Sequence, residues 1–342
     1  MLTRDAADAL HDRVGQELGT GSSIRVEQFE EDVFACLIGD YDPMHNDPAW
    51  RFDHAWGGTV VLGFHVLSLL PRVMAAAGIG GDAFVTLGLD RVRFASSLPV
   101  GAEAHWTVTL TALEREADRT IVRTSHRVQV PGSEKPMMVA EHIGALHQDR
   151  PRYAELPGAS EDEPAMIAEI PSGQRIPEAE EHGEEFYAGV LGRRGTWLGA
   201  TPWATVDKRS TDLFGFLTAA GPVHSYPAWS RAHSPFGEIS LDPFHLLALR
   251  SYFMPQVGLP VLSDARMAAF NYGLDRARWY APVAADSRLR DHVLLLEARE
   301  KDPGRYLVKA RHVVEAEGKP AAVLTADCLT LFALLDAARP GR

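Results

Sequence analysis

Phe34-Ala-Cys-Leu-Ile-Gly39-Asp40-Tyr41-Asp42-Pro43-Met44-His45-Asn46-Asp47-Pro48, followed by Gly57-Gly58-Thr59-Val-Val-Leu-Gly63-Phe64-His65-Val-Leu-Ser-Leu-Leu70, decides the reading of this chain. An apolar helix stops at Gly39, a residue suited to the left-handed turn that closes a helix. A tight polar turn follows, carrying a carboxylate and an imidazole five residues apart. Thr59, a good N-cap, announces a second apolar helix predicted over residues 59–77. An acid and an imidazole held between two apolar helices are the parts of a small acid/base site.

The rest of the chain bounds what such a site can serve. With 342 residues, 46% hydrophobic and 23% charged, the composition is that of a globular protein with room for two ordinary domains. A net charge of −12 argues against nucleic acid or an anionic membrane as partner. The polar start, Met1-Leu-Thr-Arg-Asp5, reads as neither a signal nor a transit peptide, and the run at 60–70 is too short to span a bilayer. Cys36 and Cys328 have no metal-ligand spacing, so reduced thiols, no cysteine-bound metal and a cytoplasmic location are expected.

Around the turn, periodicity predicts helices over 4–18 and 27–38, a short strand at 22–26, and strands over 83–94, 102–113, 119–129 and 137–147. Residues 149–190 are rich in Glu and Pro and read as a linker or solvated segment. Beyond it the first half returns. Gly88-Leu-Asp-Arg-Val-Arg-Phe94 recurs as Gly273-Leu-Asp-Arg-Ala-Arg-Trp279, Phe64-His65 as Phe244-His245, and His45-Asn-Asp-Pro-Ala-Trp50 as His224-Ser-Tyr-Pro-Ala-Trp229. The matches keep their order at an offset of about 180 residues, which is a duplication of a whole domain. Each copy reads as a turn, a buried helix and several antiparallel strands, an α+β arrangement in which a curved sheet covers the helix. The expected organisation is a first domain over 1–148, a linker over 149–190 and a second domain over 191–342.

The motif Gly39-Asp40-Tyr41-Asp42-Pro43-Met44-His45 resembles the signature of the MaoC-like hydratases, which include (R)-specific enoyl-CoA hydratases, at every fixed position but one: Asp42 stands where asparagine is usual. Gly63 falls at the spacing of the family's thioester-binding glycine, preceded by Leu62 in place of histidine, and Arg91-Val-Arg-Phe94 with Pro99-Val100-Gly101 resembles the strand that follows. The resemblance implies a tandem, or double, hot-dog fold. It implies that Asp40 and His45 hold a water that adds to a trans-2-enoyl thioester of CoA or an acyl carrier protein, giving a (3R)-hydroxyacyl product. The Gly63 N–H would receive the thioester oxygen, with no cofactor. A homodimer is left open. A thioesterase, a cyclase or isomerase, or a non-catalytic thioester-binding subunit are the alternatives on the same scaffold.

Each residue also has a plainer reading. Asp40 can cap backbone N–H groups and His45 can be a satisfied buried imidazole. Gly63 can serve close helix packing. Asp42 and Asn46 read as supports of the turn, and a second carboxylate beside Asp40 would raise its pKa. His54, His65, His233 and His245 recur in both copies, including the one without the acid, and so read as structural. His224 reads as a relic, because Gly221-Pro-Val-His224 is too short to keep an equivalent of Asp40. Arg91, Arg93, Arg276 and Arg278 read as a solvated or ion-paired face and as the first place to seek phosphate contacts.

Overall fold

The computed structural model describes residues 10–49, 58–80, 84–147, 164–177, 183–219, 228, 230–231, 239–261, 263 and 267–334. In chain order these form β1 (Glu17–Arg25), α1 (Gln28–Ile38), α2 (Pro43–Asn46), α3 (Gly63–Ser68), α4 (Leu70–Ala76), β2 (Phe84–Phe94), β3 (Glu103–Arg115), β4 (Arg119–Gln129) and β5 (Met138–His147). The second copy follows as α5 (Glu184–Leu191), β6 (Thr196–Ala200), β7 (Ala204–Thr205), α6 (Lys208–Thr218), α7 (Pro243–Ala248), α8 (Arg250–Phe253), β8 (Met267–Trp279), β9 (Arg288–Asp302), β10 (Arg305–Ala316) and β11 (Leu324–Leu334). His54, His224 and His233 lie outside the described residues, as does the turn containing them in the second copy.

Among the described residues all strands belong to one antiparallel sheet, ordered β1-β3-β4-β5-β2-β8-β11-β10-β9-β6 with β7 beside β9. The two copies meet where β2 pairs with β8, and the paired segments are the repeated ones: Gly88 faces Arg278, Asp90 faces Arg276 and Arg93 faces Gly273. A duplicated strand pairing antiparallel with its own copy makes a local two-fold axis, the arrangement of an isologous interface within one chain. The arginines obey it. Arg93 donates to the carbonyls of Val92 and Leu274 and pairs with Asp275, while Arg278 donates to those of Ala277 and Leu89 and pairs with Asp90. Arg91 pairs with Glu141. These three arginines are therefore committed to ion pairs across strands. Gly273, at φ 138°, is required here because a Cβ would lie 2.1 Å from the Val92 carbonyl oxygen.

The sheet packs against the central helices. Phe34, Phe64, Leu67 and Leu70 of the first copy share one buried cluster with Phe214, Phe244 and Leu247 of the second, so a single core runs through both halves. At its centre His65 stacks on Phe34 at 4.3 Å, Phe34 meets Phe214 at 5.5 Å, and Phe214 stacks on His245 at 4.3 Å.

Three local expectations change. The helix predicted from Thr59 begins at Gly63 instead, because Val60 and Val61 pair with the segment around Pro99 and Leu98. It is also interrupted between α3 and α4 at Leu69, just before Pro71, which has no N–H to continue the ladder. Of the helix expected over 4–18, residues 4–9 lie outside the described residues, 10–11 are helical, and the rest is a turn and then β1, whose pairing with β3 overrides local propensity. Within the stretch read as solvated, α5 buries Phe186, Tyr187 and Val190 against the second copy's core.

Candidate active site

Two helix ends and a one-turn helix build the site. The buried stripe of α1 consists of Glu31, Phe34, Ala35 and Ile38, a helical spacing that places one carboxylate among apolar neighbours. Gly39 closes α1 in the left-handed region at φ 68°. A Cβ there would also come within 3.0 Å of the Tyr252 ring in the second copy, so glycine serves both the turn and a close approach. The chain then turns inward at Asp40, which is 3% exposed, outward at Tyr41, and inward again at Asp42. Asp42 caps α2 by accepting the Met44 N–H at 2.9 Å, with Pro43 at the first helical position. That short helix carries His45 inward, where it is 9% exposed.

One hydrogen bond fixes the imidazole. His45 Nδ1 lies 2.6 Å from the Val60 carbonyl oxygen. A carbonyl only accepts, so Nδ1 carries the proton and Nε2 of the neutral ring is the free acceptor. The same segment ties the imidazole to the next helix. Val60 N–H donates to the Met44 carbonyl at 3.0 Å, and two residues past Val61, whose N–H bonds to Leu98, α3 begins at Gly63. Asp40, His45 and Gly63 are thus brought into one neighbourhood. Gly63 is also a packing glycine, since a Cβ would stand 2.9 Å from three carbons of the Phe94 ring. Asn46 supports the turn by donating to the Asp40 and Asp42 carbonyls at 3.3 and 3.4 Å.

Burial pushes the Asp40 carboxyl above the usual carboxylate range. His45 opposes the shift, Asp42 reinforces it by like charge, and the Asp42 N–H (3.3 Å from Oδ1) and the Ser251 hydroxyl of α8 favour the ionised form. A carboxyl raised by burial, beside an imidazole anchored through one nitrogen, can exchange a proton with a bound molecule in either direction.

Glu31 is the residue that sequence reasoning did not single out. It is fully buried; one oxygen accepts the Leu62 N–H at 2.6 Å and lies 3.8 Å from His45 Nδ1, and the other meets His65 Nδ1 at 2.7 Å. The signal was present in its place on the apolar stripe of α1. His65 is therefore held by a charge partner in this copy. In the second copy Thr211 stands at the position matching Glu31, and the counterpart histidine, His245, meets the Leu37 carbonyl at 3.4 Å and is driven by burial to a pKa of about 4. The second copy differs at one more decisive point: Pro243 occupies the place of Gly63, so that helix start has no N–H to offer there.

A family model described as a MaoC-like domain matches residues 10–130. The chain is 33% identical over 146 residues to 3-hydroxyacyl-thioester dehydratase Z of Mycobacterium tuberculosis, covering 42% of this chain and 97% of that protein. It is 34% identical over 146 residues to nodulation protein N of Rhizobium leguminosarum bv. viciae, covering 42% of this chain and 89% of the relative. Among solved structures, a MaoC domain protein dehydratase from Chloroflexus aurantiacus superposes with a TM-score of 0.69 at 12% identity, covering 96% of both chains. A Mycobacterium tuberculosis protein described as having a double hotdog fold superposes with a TM-score of 0.64 at 13% identity, covering 96% of this chain and 97% of that one. The α+β architecture read from the sequence is a double hot dog.

Proposed function

This chain belongs to the MaoC-like dehydratase family, and from that premise we propose that it is a hydro-lyase interconverting a trans-2-enoyl thioester and its (3R)-hydroxyacyl thioester, with the thioester carried on CoA or an acyl carrier protein. The supporting observation is a buried Asp40, its carboxyl raised by desolvation and in electrostatic contact with a His45 whose Nδ1 is committed to Val60. In the hydration direction a water rests between the two side chains. His45 Nε2 takes one proton from it as the water oxygen bonds to the β-carbon and the alkene electrons move toward the thioester carbonyl. Asp40 delivers its proton to the α-carbon, and the dyad then passes the proton gained by His45 back to Asp40. The same steps in reverse expel water. Gly63 N–H stabilises the enolate oxygen as charge develops on it, a position at which donors act strongly because water is excluded.

The second copy supports a one-site reading. Its sequence is too short for an Asp40 equivalent, and Pro243 removes the amide donor. Turnover of trans-2-enoyl-CoA esters of several chain lengths, followed by loss of the conjugated-thioester absorbance and a product heavier by one water, tests the proposal. Intact enoyl esters throughout the series, or release of free thiol, would contradict it.

A further inference from the structure

Asp42 is the one departure from the family signature within the turn, and the second copy accounts for it. Its Oδ1 accepts the Met44 N–H, while its Oδ2 accepts both the N–H of Ser263 at 2.7 Å and the Ser263 hydroxyl at 2.6 Å. Ser263 lies 221 residues away, just before β8, where its Oγ also accepts the Ala269 N–H at 3.3 Å. Asp42 and Ser263 are 1% and 7% exposed, so these groups have little access to water. Every partner of the two carboxylate oxygens is a donor. An asparagine offers one oxygen and one amide nitrogen, and in either orientation its NH₂ would face a buried N–H, of Met44 or of Ser263. A carboxylate is what this pair of donors needs.

Asp42 also sits at the hinge of the turn. Its own N–H points to Asp40 Oδ1, and its carbonyl accepts the His45 N–H at 3.0 Å and the Asn46 side chain. Any displacement of Asp42 is therefore passed to both members of the acid/base pair. We propose that Ser263 is a positioning residue, through which the second copy clamps Asp42 and so fixes Asp40 against His45. This rests on the reading of Asp40 and His45 as the reacting pair. The duplicated half is then part of the site although it carries no complete site of its own. The other groups facing the pair are Glu31 on α1, His65 on α3, the uncharged Ser251 beside Asp40 and the Tyr252 ring against Gly39.

Ser263→Ala, Ser263→Thr, Asp42→Asn and the Asp42→Asn/Ser263→Ala pair, each in the full chain, test the clamp by kcat, KM and unfolding midpoint. Ser263→Ala is expected to lower kcat by about 10-fold with KM unchanged, within the loss that a 1 Å misplacement causes. Ser263→Thr restores the hydroxyl and most of the rate, and the double variant is no slower than Asp42→Asn alone. Unchanged kcat in Ser263→Ala and Asp42→Asn, with only the midpoint lowered, overturns the inference, and so do losses that simply multiply in the double variant. If the wild-type protein turns over no enoyl thioester, the functional reading fails separately. The clamp is then read from the NMR titration of the His45 imidazole: a curve displaced in Ser263→Ala supports it, and one identical to wild type overturns it.

Discussion

Gly63 packs against Phe94 and, on the proposed mechanism, also donates its N–H to the enolate oxygen; two substitutions divide these roles. Gly63→Ala keeps the amide N–H but places a methyl group 2.9 Å from three Phe94 ring carbons, well inside ordinary contact. Forcing a methyl into such a site costs about 1–3 kcal/mol, which in a chain of this size lowers the unfolding midpoint by roughly 1–4 °C. Gly63→Pro meets the same ring and also deletes the N–H. Proline is acceptable at the first position of a helix, as Pro243 demonstrates at the matching point of the second copy. Loss of one oxyanion donor costs about 10²–10³ in kcat. Thermal unfolding and initial rates of enoyl-thioester hydration should therefore show both variants destabilised to a similar degree and Gly63→Pro slower than Gly63→Ala by about that factor. Phe94→Leu, combined with either, should recover the midpoint, since it removes the ring that the new atoms strike, but should leave Gly63→Pro slow. Equal rates in the alanine and proline variants would refute the role of the N–H. An unshifted midpoint in Gly63→Ala would refute the packing argument.

Three further outcomes are expected. Glu31→Ala leaves the Leu62 N–H and His65 without their buried partner and should destabilise the protein by about 3–5 kcal/mol in chemical denaturation; a smaller change would mean His65 finds another acceptor. Gly273→Ala should prevent the join between β2 and β8, because its Cβ meets the Val92 carbonyl oxygen and its φ of 138° is closed to alanine; soluble, wild-type-like protein by circular dichroism would contradict this. Stability should fall as the pH is lowered from about 6.5, because burial depresses His142 to about 3 and His245 to about 4, and lowers His126 as well. Between those values and 6.5 the unfolded chain binds protons that the folded chain refuses, so stability is fully present above pH 6.5 and is lost on acidification. His142 and His245 each contribute a loss of about 1.5 kcal/mol between pH 6.5 and 5, at a limiting slope of about 1.4 kcal/mol per unit, and His126 acts in the same direction. Asp40, raised instead of lowered, works in the opposite sense at lower pH. Urea unfolding at pH 7 and pH 5 measures the balance, and a flat profile would contradict it.

How much of this could be read from the chain alone depended on range. The turn from Gly39 to His45 is a local device, in which a left-handed glycine, an aspartate cap and a proline at the first helical position specify their own geometry, and the sequence announced it. Strands β2 to β5 alternate strongly and end within two residues of where the pattern places them, whereas β1 starts five residues before the strand expected at 22–26. The duplication was visible because it repeats whole phrases. What stayed hidden was set by partners distant in sequence. Ser263 reaches Asp42 across 221 residues, and Glu31 reaches His65 across 34. The helix start moved from Thr59 to Gly63 because of pairing with the loop at Pro99. Pairing of the repeat with itself at Gly88 and Gly273 also has no local signature, although two glycines at matching points were the residues that allowed it. The asparagine-to-aspartate change at position 42 was legible as a difference, but its cause lay in the other half of the molecule.

The central claim is that Asp40 and His45 together move the protons of a hydration. The most direct measurement is the steady-state rate of trans-2-enoyl-CoA hydration in D₂O for the wild type, Asp40→Asn and His45→Gln, with the position and configuration of the incorporated deuterium read from the hydroxyacyl product. The account predicts a (3R)-hydroxyl with one deuterium on the α-carbon, added to the same face, and a loss of about 10²–10⁴ in each variant. Turnover within a few-fold of wild type in either variant, or a product without α-deuterium, would contradict it.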